Sequence, residues 1–267
     1  MNNFNDFSWA RTAKLGRFYF PRLKKQIIWY PVITIAISLL FILACYKGMG
    51  LLMYVILGIG IPAMIYFGPI IFASDSNLPM ETMLPANSSE KWLFVSLYSL
   101  IFIPLLVLLP AAVCLLPAKG IIEADPIIGS MNLISKSLGD YSSVIQAIST
   151  TTTGAMFIAV CLYAVMSFTR SRVLYSILAV FIAYFAWGAL TVILSLVSSS
   201  RYIKNFSESV NNTEGMSENI DSLVSTPQGQ DLLGHIYTSA LILAVIAVVV
   251  TVVLIMLTYR RIKERQI

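Results

Sequence analysis

The sequence has few charged residues for its length. Only 12% of its 267 residues are Asp, Glu, Lys or Arg, whereas 58% are hydrophobic. A soluble globular chain carries about a quarter charged residues, and half that share leaves too little polar surface to cover a globule in water. We therefore expect lipid to be the solvent of this chain. Its 12% of aromatic residues fits this expectation because Trp and Tyr favour the headgroup zone of a bilayer.

Residue types that serve catalysis or metal binding are also scarce. The chain has a single histidine, His235, which we interpret as a residue at a membrane boundary. Cys45, Cys114 and Cys161 lie in apolar runs without metal-ligand spacing, so we interpret them as packing residues. The nucleophile, zinc-protease and P-loop motifs are missing. The sequence thus predicts no catalytic residue, no metal site, no bound cofactor and no ATP binding through a P-loop.

What the sequence does contain is six long apolar runs. Each run has the roughly 20 residues that a helix needs to cross the hydrocarbon core, and each lacks Asp, Glu, Lys and Arg. The predicted spans are about 26–46, 51–73, 92–117, 144–168, 173–197 and 235–258. Because backbone polar groups in lipid must pair within their own segment, the predicted fold is all-α: a polytopic integral membrane protein with six transmembrane helices.

Basic residues are distributed unevenly over the connecting segments. Thirteen of the 18 Lys and Arg lie on the side that holds both termini and the loops 74–91 and 169–172. Acidic residues divide the opposite way, which leaves net charges of +8 on that side and −3 on the other. Cytoplasmic loops carry the excess of Lys and Arg. We therefore expect both termini in the cytoplasm and the segments 118–143 and 198–234 on the outer side. Since the basic pI follows from this topology, we expect no nucleic-acid binding.

Residues 1–25 interleave aromatic and basic side chains, as Trp9 and Arg11 illustrate. This pattern predicts an amphipathic helix in the cytoplasmic interface, with aromatic rings among the headgroups and cations towards anionic lipid. An ordinary basic juxtamembrane tail is the alternative. Proline interrupts helices, so we expect Pro21 to separate this helix from the transmembrane domain of residues 26–267.

The two outer segments differ in composition. In 118–143, apolar residues recur at three- and four-residue intervals, which predicts a short amphipathic helix on or in the outer membrane surface. The 198–234 segment is polar until Thr226 and Pro227, a cap and first-turn proline that predict a new helix start. We expect that helix to continue into the sixth span.

Several residues inside the spans are candidates for a substrate path or a hinge. Pro62, Pro104 and Pro110 qualify because proline frees a helix carbonyl and bends the helix, and a static kink is the alternative. Thr151 and Thr152, near the start of the fourth span, offer hydroxyls to a polar path. Their alternative role is hydrogen bonding to helix carbonyls one turn earlier.

Loop 74–91, between the second and third spans, has the composition of a docking element. Two Leu-Pro pairs bracket a short stretch of Met, Glu and Thr, which we expect to form a helix exposed to a soluble partner. Asn87 or Ser88 is suited to cap the next helix, with Glu90 and Lys91 in its first turn.

Taken together, these features resemble the membrane subunit of an ABC-2-type ABC transporter. The six-span layout, the basic N-terminal helix and the long outer segment before the last span match that family over nearly the whole chain. The eight residues LPANSSEK at 84–91 are similar to the Leu-Pro-Ala-Ser-x-x-Glu-Lys of many bacterial permeases. Asn87 stands where Ser or Thr is commoner, and all three residue types cap helices.

The resemblance implies a multi-pass subunit of the bacterial cell (inner) membrane. Two such permease subunits, identical or paralogous, would each sit on a separate ATPase subunit that binds ATP and Mg, so this chain would not be an enzyme. The substrate would be an exported amphipathic peptide, drug or lipid-like molecule. Loop 74–91 would be the coupling helix seated in the ATPase. The coupling contacts are assigned to Leu78, Met80, Glu81, Met83, Leu84, Pro85, Asn87, Glu90 and Lys91.

Another class of function stays open at this point. A non-transporting membrane protein, for immunity or sensing, would use the outer segments to bind a ligand. An intramembrane enzyme is disfavoured because no catalytic pair is visible in the spans. A neighbouring open reading frame with a P-loop would favour the transporter, and its absence would favour the ligand-binding protein.

Overall fold

The computed structural model describes residues 7–73, 87–125, 140–168, 171–211 and 227–264, and all regular secondary structure in these ranges is helical. The α-helices are α1 (Trp9–Tyr46), α2 (Gly50–Tyr66), α3 (Ser88–Leu97), α4 (Ile103–Leu115), α5 (Lys119–Glu123), α6 (Asp140–Ser167), α7 (Arg172–Asn211) and α8 (Pro227–Glu264). A 3₁₀ segment, Gly68–Ala73, follows α2. A π-helical turn, Tyr98–Phe102, joins α3 to α4.

Six helical stretches are long and apolar enough to cross a membrane. They are Trp9–Tyr46, Met53–Phe72, Ser88–Leu115, Val144–Ser167, Arg172–Leu194 and Tyr237–Glu264. The prediction of an all-α fold with six spans is thereby confirmed, and each predicted span falls on one of these stretches. The chain has the architecture of a multi-pass membrane protein. The side of the membrane that holds the termini stays a prediction.

Pro21 does not separate two helices, contrary to the prediction. Helix α1 is continuous, with Pro21 and Pro31 inside it. A proline removes one backbone N–H and displaces one carbonyl, but tertiary packing can outweigh that local cost. Here Tyr19 and Leu23, on either side of Pro21, are each only 5% exposed. The basic N-terminal segment and the first span are therefore one helix.

Three helices are longer than a bilayer requires. Helices α1 and α8 have 38 residues each and α7 has 40. At a rise of 1.5 Å per residue they are about 57–60 Å long, whereas the hydrocarbon core is about 30 Å thick. Helix α8 confirms that the helix starting at Pro227 runs without a break into the last span. Helix α7 extends past the predicted end of its span at 197.

Helix α6 lies at the centre of the described bundle. It packs against α7, α8, α2 and the 3₁₀ segment. Cys161, Leu162 and Val165 on this helix have no exposed surface. Helix α1 packs against α2, α3 and α4. The outer faces stay apolar, as Leu178 and Phe181 of α7 illustrate, because lipid and not water is their expected neighbour.

A glycine terminates α1 and sets the direction of α2. Gly48 has a φ of +69°, a conformation that residues with a side chain rarely adopt. The N–H of Gly48 donates to the carbonyl of Cys45 and that of Met49 to the carbonyl of Ala44, the two bonds of a Schellman motif. At the same end, the N–H of Gly50 donates to Oδ2 of the buried Asp125 over 3.1 Å.

Candidate functional site

The predicted docking loop lies only partly within the described residues. The loop residues outside those ranges are Leu78, Met80, Glu81, Met83, Leu84 and Pro85. Asn87, Glu90 and Lys91 are described, and they form the junction between the loop and α3. Within segment 118–143, where the sequence predicts an amphipathic helix, residues 126–139 also lie outside the described ranges.

The cap predicted at the loop's end is confirmed. Asn87 is the N-cap of α3, with extended backbone angles of −69° and 156°, and it forms a capping box with Glu90. The N–H of Asn87 donates to Oε2 of Glu90 over 3.1 Å. A capping box satisfies helix N–H groups that have no partner within the helix. The capping box thereby fixes the backbone at the start of α3.

Glu90 also binds the first turn of α1. Nη2 of Arg11 lies 2.9 Å from Oε1 of Glu90, and Nε of Arg11 lies 3.0 Å from the same oxygen. The backbone N–H of Ser8 donates to Oε1 over 2.7 Å. The side chain of Glu90 has no exposed surface, whereas that of Arg11 is 23% exposed. Hydrogen bonds from these charged and neutral donors compensate the buried carboxylate for the water that it has lost.

This geometry does not fit a direct charge contact from Glu90 to a soluble partner. The carboxylate is buried and accepts hydrogen bonds from Ser8, Arg11 and Asn87 of its own chain. Lys91 is also buried, at 9% exposure. Glu90 therefore belongs to the internal anchorage of the loop's end, and the burial of Lys91 likewise does not fit an exposed charge contact.

The next residue ties α3 to the last helix. Nε1–H of Trp92 donates to the backbone carbonyl of Ile255 over 3.0 Å. The Trp92 ring also meets the ring of Tyr259 edge-on, with centroids 5.7 Å apart. The first turns of α1, the start of α3 and the last turns of α8 therefore meet at one end of the bundle, which we call the basic end because α1 and α8 both carry clustered Lys and Arg there.

An aromatic cluster fills the space behind this junction. Tyr19 of α1 stacks on Phe94 of α3 with centroids 5.5 Å apart, and it meets Phe72 edge-on at 5.8 Å. Tyr98 of the π turn meets Phe72 edge-on at 5.7 Å. Such pairs add stability beyond that of buried area alone. The cluster joins α1, the 3₁₀ segment and α3 into one unit.

Gln26 is a polar residue within this unit that forms hydrogen bonds with three partners. Its side-chain amide donates to the carbonyl of Gly68 over 2.9 Å and to the hydroxyl of Tyr30 over 3.0 Å. Its side-chain oxygen accepts a hydrogen bond from the hydroxyl of Tyr98 over 3.1 Å. Polar groups in an apolar bundle hold helices together because lipid offers no alternative partner. Gln26 thus connects α1 to the 3₁₀ segment and to the π turn.

The candidate hinge prolines occupy different environments. Pro104 is in the first turn of α4, separated from the π turn by Ile103. In that turn the N–H of Ile103 donates to the carbonyl of Tyr98, five residues earlier. Pro62 and Pro110 lie inside α2 and α4. Of the three, Pro104 adjoins backbone that has left the regular α-helical hydrogen-bond ladder.

Thr151 and Thr152 bond to their own helix. Oγ1 of Thr151 donates to the carbonyl of Ala147 over 2.8 Å, and Oγ1 of Thr152 donates to that of Ile148 over 2.8 Å. The alternative of hydrogen bonding one turn back is thus the arrangement found. A polar path through these hydroxyls stays a prediction without further support.

The sequence pattern places Arg11 among the cations that face anionic lipid, whereas Arg11 binds Glu90, and the pattern assigns no role to Gln26 or Trp92. Gln26 stands out only as an amide at the start of an apolar run, and Trp92 as an aromatic residue at a span boundary. In the part of the chain that the structure describes, no three His, Cys, Asp or Glu side chains are grouped as metal ligands would be. The site defined here is a structural contact region that joins α1, α3 and α8.

Comparison with protein-family models, curated proteins and solved structures finds no match for this chain. The class that the fold itself defines is an all-helical, multi-pass membrane protein.

Proposed function

We propose that this chain is the permease subunit of an ATP-driven ABC-2-type transporter, working with a separate ATPase subunit and a second permease subunit. The observation that supports it best is the double anchorage of α3, the first helix after loop 74–91. Glu90 binds Arg11 of α1, and Trp92 binds the carbonyl of Ile255 in α8. A displacement of the loop by a soluble partner would be passed to both helices.

The backbone around α3 suits such a transmission. An ATPase can change the permease only by contacting two states differently, so the permease needs elements with more than one arrangement. The π turn at Tyr98–Phe102 and the 3₁₀ segment at Gly68–Ala73 depart from α-helical geometry, and Gln26 joins them. Departures of this kind within helices often mark functional positions.

The sequence supports the remaining parts of the proposal. The chain lacks a P-loop, so ATP and Mg belong to the partner. Spans without charged residues fit the export of an amphipathic substrate such as a peptide, drug or lipid-like molecule. The resemblance of loop 84–91 to bacterial permeases gives the bacterial inner membrane as the location.

Affinity purification of the tagged chain from its own membranes in mild detergent tests this proposal. We expect mass spectrometry to find a stoichiometric P-loop ATPase with the wild-type chain. The pair of substitutions Glu81→Lys and Met83→Asp should remove it, because both lie in the loop assigned to the ATPase. Lys119→Glu, on an exposed residue of α5 at the opposite end, is the matched control and should retain it.

A second variant separates docking from anchorage. Arg11→Gln alters the internal pair with Glu90 and leaves the loop sequence intact, so the ATPase should still be recovered. A wild-type preparation without any ATPase would contradict the proposal. It would favour the ligand-binding immunity or sensory protein and direct attention to segment 198–234.

A further inference from the structure

An apolar groove lies between the first half of α1 and the third span. It has a volume of about 440 Å³, within the range of sites that hold small molecules. Its wall is almost entirely apolar and includes Gly16, Leu23, Ile27, Leu97, Ile101 and Phe102. The last three side chains remain exposed, so the groove opens sideways out of the bundle.

Gly16 lines the groove and adds no side chain to it. A Cβ atom at that position would lie 3.4 Å from Cε2 of Phe94, an ordinary van der Waals contact. Two turns later Leu23 forms the floor at 5% exposure. On the opposite wall of the groove, Leu97 and Ile101 of the third span are four residues apart and so occupy one face of that helical segment. The resulting cleft runs along α1 from its basic turns towards the first span.

One edge of the groove is cationic. Arg17 and Lys24 directly follow the groove residues Gly16 and Leu23, and both are exposed. They are seven residues apart, which places them on the same face of α1, with the exposed Phe20 between them. Helix α1 contains no Asp or Glu. Glu90, the carboxylate packed against its first turn, is neutralised by Arg11.

We propose that this groove binds one acyl chain of an anionic phospholipid, whose phosphate is held by Arg17 and Lys24. A slender, fully apolar occupant fits a cleft that is open along one side, and the adjoining cations supply the complementary charge for a headgroup. Long basic side chains reach a polar surface while their stems cover apolar area. Lipid binding in this groove does not depend on whether the chain works with an ATPase.

Photo-crosslinking in lipid nanodiscs tests the proposal on the full chain. The probe is phosphatidylglycerol with a diazirine near the end of one acyl chain, and phosphatidylcholine with the same label is the neutral comparison. We expect labelled peptides to be several-fold enriched around Leu97 and Ile101 relative to the exposed face of α7 at Leu178. We also expect phosphatidylglycerol to label the groove several-fold more than phosphatidylcholine.

Two sets of variants test whether the cross-linking depends on the groove and on its cationic edge. Ile101→Trp fills the groove and should abolish the enrichment, whereas Leu105→Trp, an equally exposed residue one turn further along, should leave it unchanged. The pair Arg17→Gln and Lys24→Gln should lower labelling by phosphatidylglycerol to the level of phosphatidylcholine. Both exposed cations lie outside the core, so these variants should fold.

Three results would overturn the proposal. Equal labelling of the groove and of α7 would mean that only unselective surrounding lipid is present. Equal labelling by both lipids would remove the role of Arg17 and Lys24. The groove could also stay unlabelled while a cysteine placed at Ile101 cross-links to another copy of the chain. That result would identify a second subunit as the occupant.

Discussion

The carboxylate of Glu90 has no exposed surface, and the guanidinium of Arg11 holds it, with Nη2 lying 2.9 Å from Oε1. These residues are 79 positions apart in the chain. One begins the first helix and the other begins the third span. The pair thus holds the start of α3 against the N-terminal helix.

Removing Arg11 should destabilise the protein through this pair. We expect Arg11→Ala to cost about 2–3 kcal/mol, because a buried carboxylate loses its charged donor. Thermal unfolding in mild detergent should show a lower midpoint, and Glu90→Gln should restore part of the loss in the double variant because the stranded charge is then gone. Lys14→Ala, on an exposed residue of the same helix, is the control and should change little.

Gly68 is expected to tolerate no side chain. A Cβ atom there would lie 2.6 Å from Cδ1 and 2.7 Å from Cγ2 of Ile103, a residue without exposed surface. Gly68→Ala should therefore cost about 1–3 kcal/mol through overpacking, seen as a lower unfolding midpoint. Shortening Ile103 to Ala in the same chain should relieve the clash.

Gly58 provides the comparison for this test. A Cβ atom at Gly58 meets nothing within 4 Å, so Gly58→Ala should be neutral or slightly stabilising. If Gly58→Ala and Gly68→Ala had the same effect, the close contact with Ile103 would not be the cause.

Trp92 should contribute through its indole N–H. Trp92→Phe keeps an aromatic ring near Tyr259 but loses the donor to the carbonyl of Ile255, and we expect a cost of about 0.5–1.5 kcal/mol. Hydrogen exchange in the last turns of α8 should rise in this variant. Trp29→Phe, on an exposed ring of α1, should leave exchange in α8 unchanged.

Gln26 and Tyr98 should behave as a coupled pair. Gln26→Leu leaves the hydroxyl of Tyr98 and the carbonyl of Gly68 without this partner, at an expected cost of about 1–3 kcal/mol. Tyr98→Phe should cost less, and the double variant should lose less than the two single losses added together. Strictly additive losses in unfolding measurements would show that the observed bond of 3.1 Å contributes no coupling.

The helical cap at the end of the loop shows what local sequence can predict. Asn87 and Glu90 are three residues apart, and Pro227 defines the first turn of its own helix. The chemistry of such caps is contained in a few neighbouring residues, so the pattern alone was sufficient. Arg11 and Glu90 have no such relation in the sequence, and nothing in the composition of either segment pairs them.

Pro21 shows where local propensity fails. Proline predicted an interruption, but Tyr19 and Leu23 are buried against other helices on either side of it. The free energy of that burial depends on partners far along the chain. A rule based on one residue's backbone chemistry therefore could not decide whether the helix continued.

The sequence by itself determined the all-α class and the six spans, because an apolar run of that length in lipid has to satisfy its own backbone hydrogen bonds. Only the tertiary structure decided which helices meet. The bonds from Arg11 to Glu90 and from Trp92 to Ile255 join residues 79 and 163 positions apart, and the groove beside Gly16 exists only between two packed helices. In such contacts the partner is set by the arrangement of the whole bundle, which no single segment encodes.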